Sequence, residues 1–219
     1  MSNTGFLFSC AALVINGLIL LGVVSGRSAL PINLLVGAMQ VVFPTVMLIQ
    51  ANGDPALTLS AAPAYLFGFT YLYVAFNEIT GASGEGLGWF SLFVTVAAIF
   101  FSVMKFIDHS PTYGVLWLGW GFLWFLFYLM LARGQQSIER TAGWLTLLLG
   151  VFTVGIPGVL ELAGVFPDTV GVAWLAFATI LVITLFSFAL GRLKQQTPVE
   201  PSELTTDQTA EEYIHTSRQ

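Results

Sequence analysis

Three observations predict an all-α integral membrane protein with seven transmembrane helices: a composition that cannot dress a water-facing surface, seven apolar runs of spanning length, and an uneven placement of Lys and Arg. Of 219 residues, 56% are hydrophobic and only 9% are charged, where an ordinary soluble domain carries roughly a quarter charged residues. Such a chain is too poor in Lys, Arg, Glu and Asp to keep a wet surface free of sticky patches, and a bilayer is its natural solvent. A spanning helix takes about 20 residues to cross about 30 Å of hydrocarbon. The length therefore accommodates about seven spans, short loops and one tail, and it excludes large extramembrane domains.

The apolar runs, bounded by Gly, Pro and charge, fall at about 6–25, 31–50, 64–80, 88–107, 113–132, 142–163 and 169–191. The first is expected to remain as a span rather than be cleaved as a signal peptide, because no Lys or Arg precedes it and it outruns a typical h-region. Turn chemistry separates the runs at Ser25-Gly26-Arg27-Ser28, Asn52-Gly53-Asp54-Pro55, 81–86, Asp108-His109-Ser110-Pro111 and 164–168. The third run is the shortest. From Gln195 the chain turns polar, with Pro198, Pro201 and the acids Glu200, Glu203, Asp207, Glu211 and Glu212. Residues 1–194 thus read as a membrane domain and 195–219 as a disordered, acidic cytoplasmic tail.

Short-loop Lys and Arg set orientation. With the N-terminus outside and the C-terminus in the cytoplasm, Arg27, Arg133, Arg140, Arg192 and Lys194 lie inside and only Lys105 lies outside. The single cysteine, Cys10, cannot form an intramolecular disulfide and reads as a small packing residue. There is no Gly-rich phosphate loop before a Lys and no His cluster with metal spacing, so no metal, cofactor, nucleic-acid partner or enzymatic centre is expected. No Lys, Arg, Asp or His falls within the middle of a run, which argues against an ion-coupled pump. The last run has no lysine to carry a retinal Schiff base. Glu78 and Glu161 stand at the ends of the third and sixth runs, where a carboxylate can reach interfacial water.

The fifth run is the most informative. Tyr113, Trp117, Trp120 and Trp124 are spaced i, i+4, i+7 and i+11, which on a helix gathers them into a stripe about 60° wide. Such rings can anchor a helix at the headgroups or fill a helix interface. A belt, however, sits at the two interfaces, whereas Trp117 to Trp124 run about 10 Å along the axis. An indole N–H facing lipid there would go unsatisfied, so these groups should face protein, water or solute. In the third run Phe67 and Tyr71 are again i and i+4, with Glu78 on the same face. Asn16, Asn33 and Asn77 are carboxamides within or at the ends of spans, where such groups bond helix to helix or border a passage. Together these features predict a narrow, uncharged, aromatic-walled pore through the bundle of each protomer.

At these residues the sequence resembles the amide and urea channel family, AmiS/UreI. The resemblance is carried by Leu66-Phe67-Gly68-Phe69-Thr70-Tyr71-Leu72-Tyr73-Val74-Ala75-Phe76-Asn77, by Trp89-Phe90-Ser91-Leu92-Phe93-Val94 and by Trp117-Leu118-Gly119-Trp120-Gly121-Phe122-Leu123-Trp124, with weaker support from Asn16-Gly17, Asn33 and Ile156-Pro157. It implies a channel in the bacterial cytoplasmic membrane that passes urea or short aliphatic amides to an intracellular urease or amidase, as a homo-hexamer with one pore per protomer. The constriction would fall on Phe67, Tyr71, Trp117, Trp120 and Trp124, with Leu13 as a pore-facing aliphatic; Tyr113 stands where the acid-gated urea channel has Trp. The match is closer to the amide-type members. Residues 51–63 contain no His, so a histidine acid switch is not expected. A glutamate of the urea channel's sixth span aligns with Leu149, and the run 169–191 has no counterpart there. Two other readings stay open at this point: an ion-coupled amide carrier using Glu78 or Glu161, and a non-transporting sensor or assembly subunit in which the rings only pack helices.

Overall fold

The computed structural model describes residues 3–193, and the expected acidic tail, 195–219, lies outside them. The described residues are all helical, with short turns between helices. They form α1 (Asn3–Leu20), α2 (Gly26–Ala51), α3 (Pro55–Thr80), α4 (Glu85–Ile107), α5 (Pro111–Leu131), α6 (Glu139–Leu149), α7 (Ile156–Leu162) and α8 (Val170–Arg192). A 3-10 turn leads into α6, and a π-helical segment, Gly150–Gly155, joins α6 to α7 in one rod. Six helical stretches are long and apolar enough to cross a membrane: α2, α3, α4, α5, the rod Gln136–Leu162 and α8. The first predicted span is the shorter apolar helix, Thr4–Leu20.

The helix starts follow from capping chemistry. The Ser25 side chain accepts from the Ser28 amide at 3.2 Å. Asp54 Oδ1 accepts from the amides of Ala56 and Leu57 at 2.8 and 3.0 Å, and Pro55 occupies the first helical position, where its missing N–H costs nothing. α3 therefore begins well before residue 64, the start expected from apolar periodicity, and carries Pro63 inside it. The apolar count misses this because the first turns of α3 hold Ser, Thr and Ala, which a cap can commit to helix without strong hydropathy. α3 closes on Gly81 in the left-handed region (φ 69°), whose N–H returns to the Asn77 carbonyl, the conformation that glycine adopts without penalty.

α2 with α3 and α4 with α5 pack as helical hairpins; α1 lies between α2 and the α6–α7 rod, and α8 rides outside on α5 and α6. The seam between α1 and the rod depends on small residues. A Cβ at Gly17 would lie 2.8 Å from the Gly143 carbonyl oxygen, and one at Gly150 would lie 2.8 Å from Leu13 Cβ. Close backbone approach of this kind is how helices associate where lipid is as apolar as the side chains. The rod's π turn has a local cause. Pro157 lacks an amide hydrogen, so the regular i to i−4 ladder fails just before it, and the Ile156 N–H reaches five residues back to the Val151 carbonyl instead.

Alternation of the helices puts Arg27, Arg133, Arg140 and Arg192, at helix ends or in the turn after α5, toward one end of the bundle, and Lys105 and His109 toward the other. We refer to these as the basic end and the opposite end.

Candidate functional site

Most of the aromatic residues singled out in the sequence meet in the centre of the bundle. Phe67 and Tyr71 on α3 and Trp117, Trp120 and Trp124 on α5 are all buried, as is Leu13 on α1. Phe67 is the hub: its ring centroid lies 6.0 Å from Trp117, 5.5 Å from Trp120 and 4.9 Å from Trp124. Trp117 and Trp120 meet edge to face at 5.1 Å, a geometry that sets the positive rim of one ring on the negative face of the other. Phe6 of α1 meets Trp120 at 5.5 Å and Phe101 of α4 meets Trp117 at 5.1 Å.

Two of the three indole N–H groups are bonded to protein. Trp120 Nε1 donates to Thr153 Oγ1 at 2.9 Å, and Trp124 Nε1 donates to Thr70 Oγ1 at 3.3 Å. Each threonine passes its own proton one helical turn back, Thr153 to the Leu149 carbonyl at 2.6 Å and Thr70 to the Leu66 carbonyl at 2.7 Å. The hydroxyls are thereby held as acceptors toward the indoles. Thr153 sits in the π segment, so the widened turn is what aims it at Trp120.

Two cavities flank the ring cluster. One of about 280 Å³ opens toward the basic end between α1, α3, α4 and α5, and its walls include Leu13, Phe67, Tyr71, Trp120 and Trp124. The other, of about 240 Å³, opens toward the opposite end, and its walls include Phe6, Trp117 and Trp120. Each exceeds the roughly 30 Å³ that one water occupies in the liquid several times over. Trp120 lines both cavities, so a single indole stands where they approach each other.

The remaining sequence candidates divide. Asn16 and Asn33 form a reciprocal amide pair between α1 and α2, two hydrogen bonds of 2.8 Å each, the helix-linking role open to them from sequence. Asn16 also borders the basic-end cavity, together with Asn77 and Glu78. The Glu78 carboxylate rests against Gly26 at the start of α2, where an added Cβ would collide with Oε1. Tyr113 stands one turn outward from Trp117, borders the opposite-end cavity and donates its O–H to Glu161 Oε1. Leu149 is fully buried. The sequence reading did not assign Thr70, Thr153, Phe6, Phe101, Ser60 or Lys105 to the site. Thr70 lies inside the Leu66–Asn77 motif and is legible there as its one aliphatic hydroxyl; Thr153 depends on the π turn and has no periodic signal.

A bundle of long apolar helices with two cavities that approach each other at buried rings has the architecture of a multi-pass membrane protein. The sequence profile of the AmiS/UreI family transporters matches residues 1–165, and the chain belongs to that family. It is 49% identical over 174 residues to the transporter protein AmiS2 of Rhodococcus erythropolis, covering 79% of this chain and 84% of that protein. It is 45% identical over 165 residues to an amidate substrates transporter protein of Mycolicibacterium smegmatis, covering 75% and 78%. Among solved structures, the closed-state urea channel of Helicobacter pylori superposes with a TM-score of 0.68 at 25% identity, covering 74% of this chain and 98% of that one. α8 begins beyond the residues that the family profile matches.

Proposed function

We propose that this protein is a passive channel for small neutral amides, short aliphatic amides such as acetamide or urea, in the bacterial cytoplasmic membrane, feeding an intracellular amidase or urease. Its carrying observation is the pair of cavities that both reach Trp120, with Phe67, Tyr71, Trp117, Trp124 and Leu13 around it. The names of its relatives, an amidate substrates transporter and a urea channel, support the substrate class. In this reading α1 is the seventh span, the N-terminus lies outside, and the basic end faces the cytoplasm under the positive-inside rule. Six protomers assemble, each with its own passage, as the family resemblance implies.

The chemistry follows from the walls. A primary amide is small, planar, neutral and dipolar, and stacked ring faces suit its shape. An ion entering the same slot loses a hydration worth on the order of 20 kcal/mol before relaxation and meets no charge among the central rings to replace it. Selectivity then rests on diameter, hydrogen-bond pattern and the missing counter-charge. The rings touch one another, so passage requires side-chain rotation within the cluster. Residues 51–63 hold no histidine, and the channel works without a histidine acid gate.

The test is osmotic swelling of proteoliposomes in acetamide and in urea. The expected result is solute flux that is independent of a proton gradient and altered in rate or selectivity by Trp120→Ala and by Trp124→Ala. Gradient-dependent uptake would instead establish the ion-coupled carrier, and no flux of either solute would leave a non-transporting subunit.

A further inference from the structure

The opposite-end cavity differs in kind from the aromatic slot it leads to. Among the described residues that line it, four are polar: Ser60 on α3, Lys105 on α4, Tyr113 on α5 and Glu161 on α7. They come from four different helices, and one of them, Lys105, is a cation facing the same space as a carboxylate. Tyr113 donates to Glu161 Oε1 and packs its ring on Phe166 at 5.2 Å, which holds that carboxylate at the wall directly outside Trp117. Lys105, Tyr113 and Glu161 are each only partly exposed, so their charges are screened less than those of a free surface pair.

We propose that Lys105, Glu161 and Tyr113 form a docking subsite that receives the carboxamide group before it enters the ring cluster, a reading that rests on the amide-channel function above. An amide presents a carbonyl acceptor on one side and N–H donors on the other. The Lys105 ammonium donates to the carbonyl, and the Glu161 carboxylate accepts from the amide nitrogen. Among the described residues that line it, Lys105 and Glu161 carry one charge of each sign, a pair that suits a dipole better than either ion. A carboxylate such as acetate, which is the acid formed when acetamide is hydrolysed, would gain Lys105 and be repelled by Glu161. An alcohol of similar size offers only neutral hydroxyls, each donating and accepting through one oxygen, and lacks the amide dipole that aligns a carbonyl with Lys105 and an N–H with Glu161. The subsite thus separates amides from other small neutral solutes, a discrimination that the ring cluster, lacking charge, cannot supply alone.

The experiment uses the full-length protein in liposomes, with acetamide flux measured over a concentration series, ethylene glycol as a non-amide solute of similar size, and acetate as a competitor. For Glu161→Gln the half-saturating acetamide concentration rises about tenfold, the factor carried by one hydrogen bond to a charged group. The acetamide to ethylene glycol permeability ratio falls with it. Acetate, without effect on the wild type, now inhibits, because the Glu161 charge no longer repels it from Lys105. Lys105→Met weakens acetamide saturation similarly but gains no acetate inhibition, which separates the charge effect from misfolding. If the wild type passes acetamide while both variants keep its saturation, its permeability ratio and its indifference to acetate, the docking subsite is overturned and the channel reading stands. If the wild type passes no amide, the channel reading itself fails.

Discussion

α5 and α8 are both strongly apolar spans, yet 56% of the most apolar stretch of α5 is buried within the protein against 17% of that of α8. α5 spends its residues on partners: Gly119 and Gly121 lie against neighbouring helices, and three tryptophans turn inward. α8 buries little beyond Ala173, Ile183 and Ser187 and leaves Trp174, Leu181, Val182 and Leu185 outward. Apolarity therefore says that a helix belongs in lipid, and the placement of small and ring residues says whether it belongs to the passage.

Substitutions in these two helices and at the residues that contact them should separate by size. The largest effect is expected where α4 meets the end of α5, because a Cβ at Gly88 would lie 2.5 Å from the Ala132 backbone nitrogen. Gly88→Val should cost about 3 kcal/mol or more, at the upper end of overpacking penalties, and appear as a collapse in the yield of monodisperse protein. Next comes Thr153→Val, which keeps the shape but leaves the Trp120 N–H without the acceptor it has at 2.9 Å. The expected loss is about 1–3 kcal/mol, read by thermal unfolding in detergent, with altered amide flux because Trp120 borders both cavities. Gly119→Ala should be milder, about 1 kcal/mol, at the lower end of overpacking penalties, because its Cβ would meet Ile180 Cδ1 at 2.8 Å, the far end of a flexible side chain on the loosely held helix. Smallest is Leu185→Ala, at a residue 62% exposed, for which a change within about 0.5 kcal/mol is expected by the same melting measurement. Were Leu185→Ala to destabilise as much as Thr153→Val, the contrast between the two helices would be wrong.

The sequence made the aromatic stripe legible because a helix converts i, i+4, i+7 and i+11 into one face regardless of what packs on it. Phe67 and Tyr71 could be read for the same reason, and so could the membrane class, since composition alone decides the solvent. The partners of the rings were harder. Thr153 reaches Trp120 through a turn that departs from 3.6 residues, and Phe6 and Phe101 come from helices whose order around the centre no local pattern encodes. Asn16 and Asn33 were readable as helix-linking groups, but their pairing depends on the register between α1 and α2. The early start of α3 was hidden because Asp54 and Pro55 look like a loop until they are seen as a cap and a first helical residue.

The widened turn at Gly150–Gly155 acts as an angular key for the outer half of its rod. Each residue of a regular helix advances about 100°, so deleting one residue from that segment would swing everything beyond it by about that angle. Glu161 would then turn away from Tyr113, and the vestibule would lose its acid while the interior half of the rod kept its footing. Spacing within this stretch is consequently held to the single residue, over and above the side-chain identities that Gly150 and Thr153 require there.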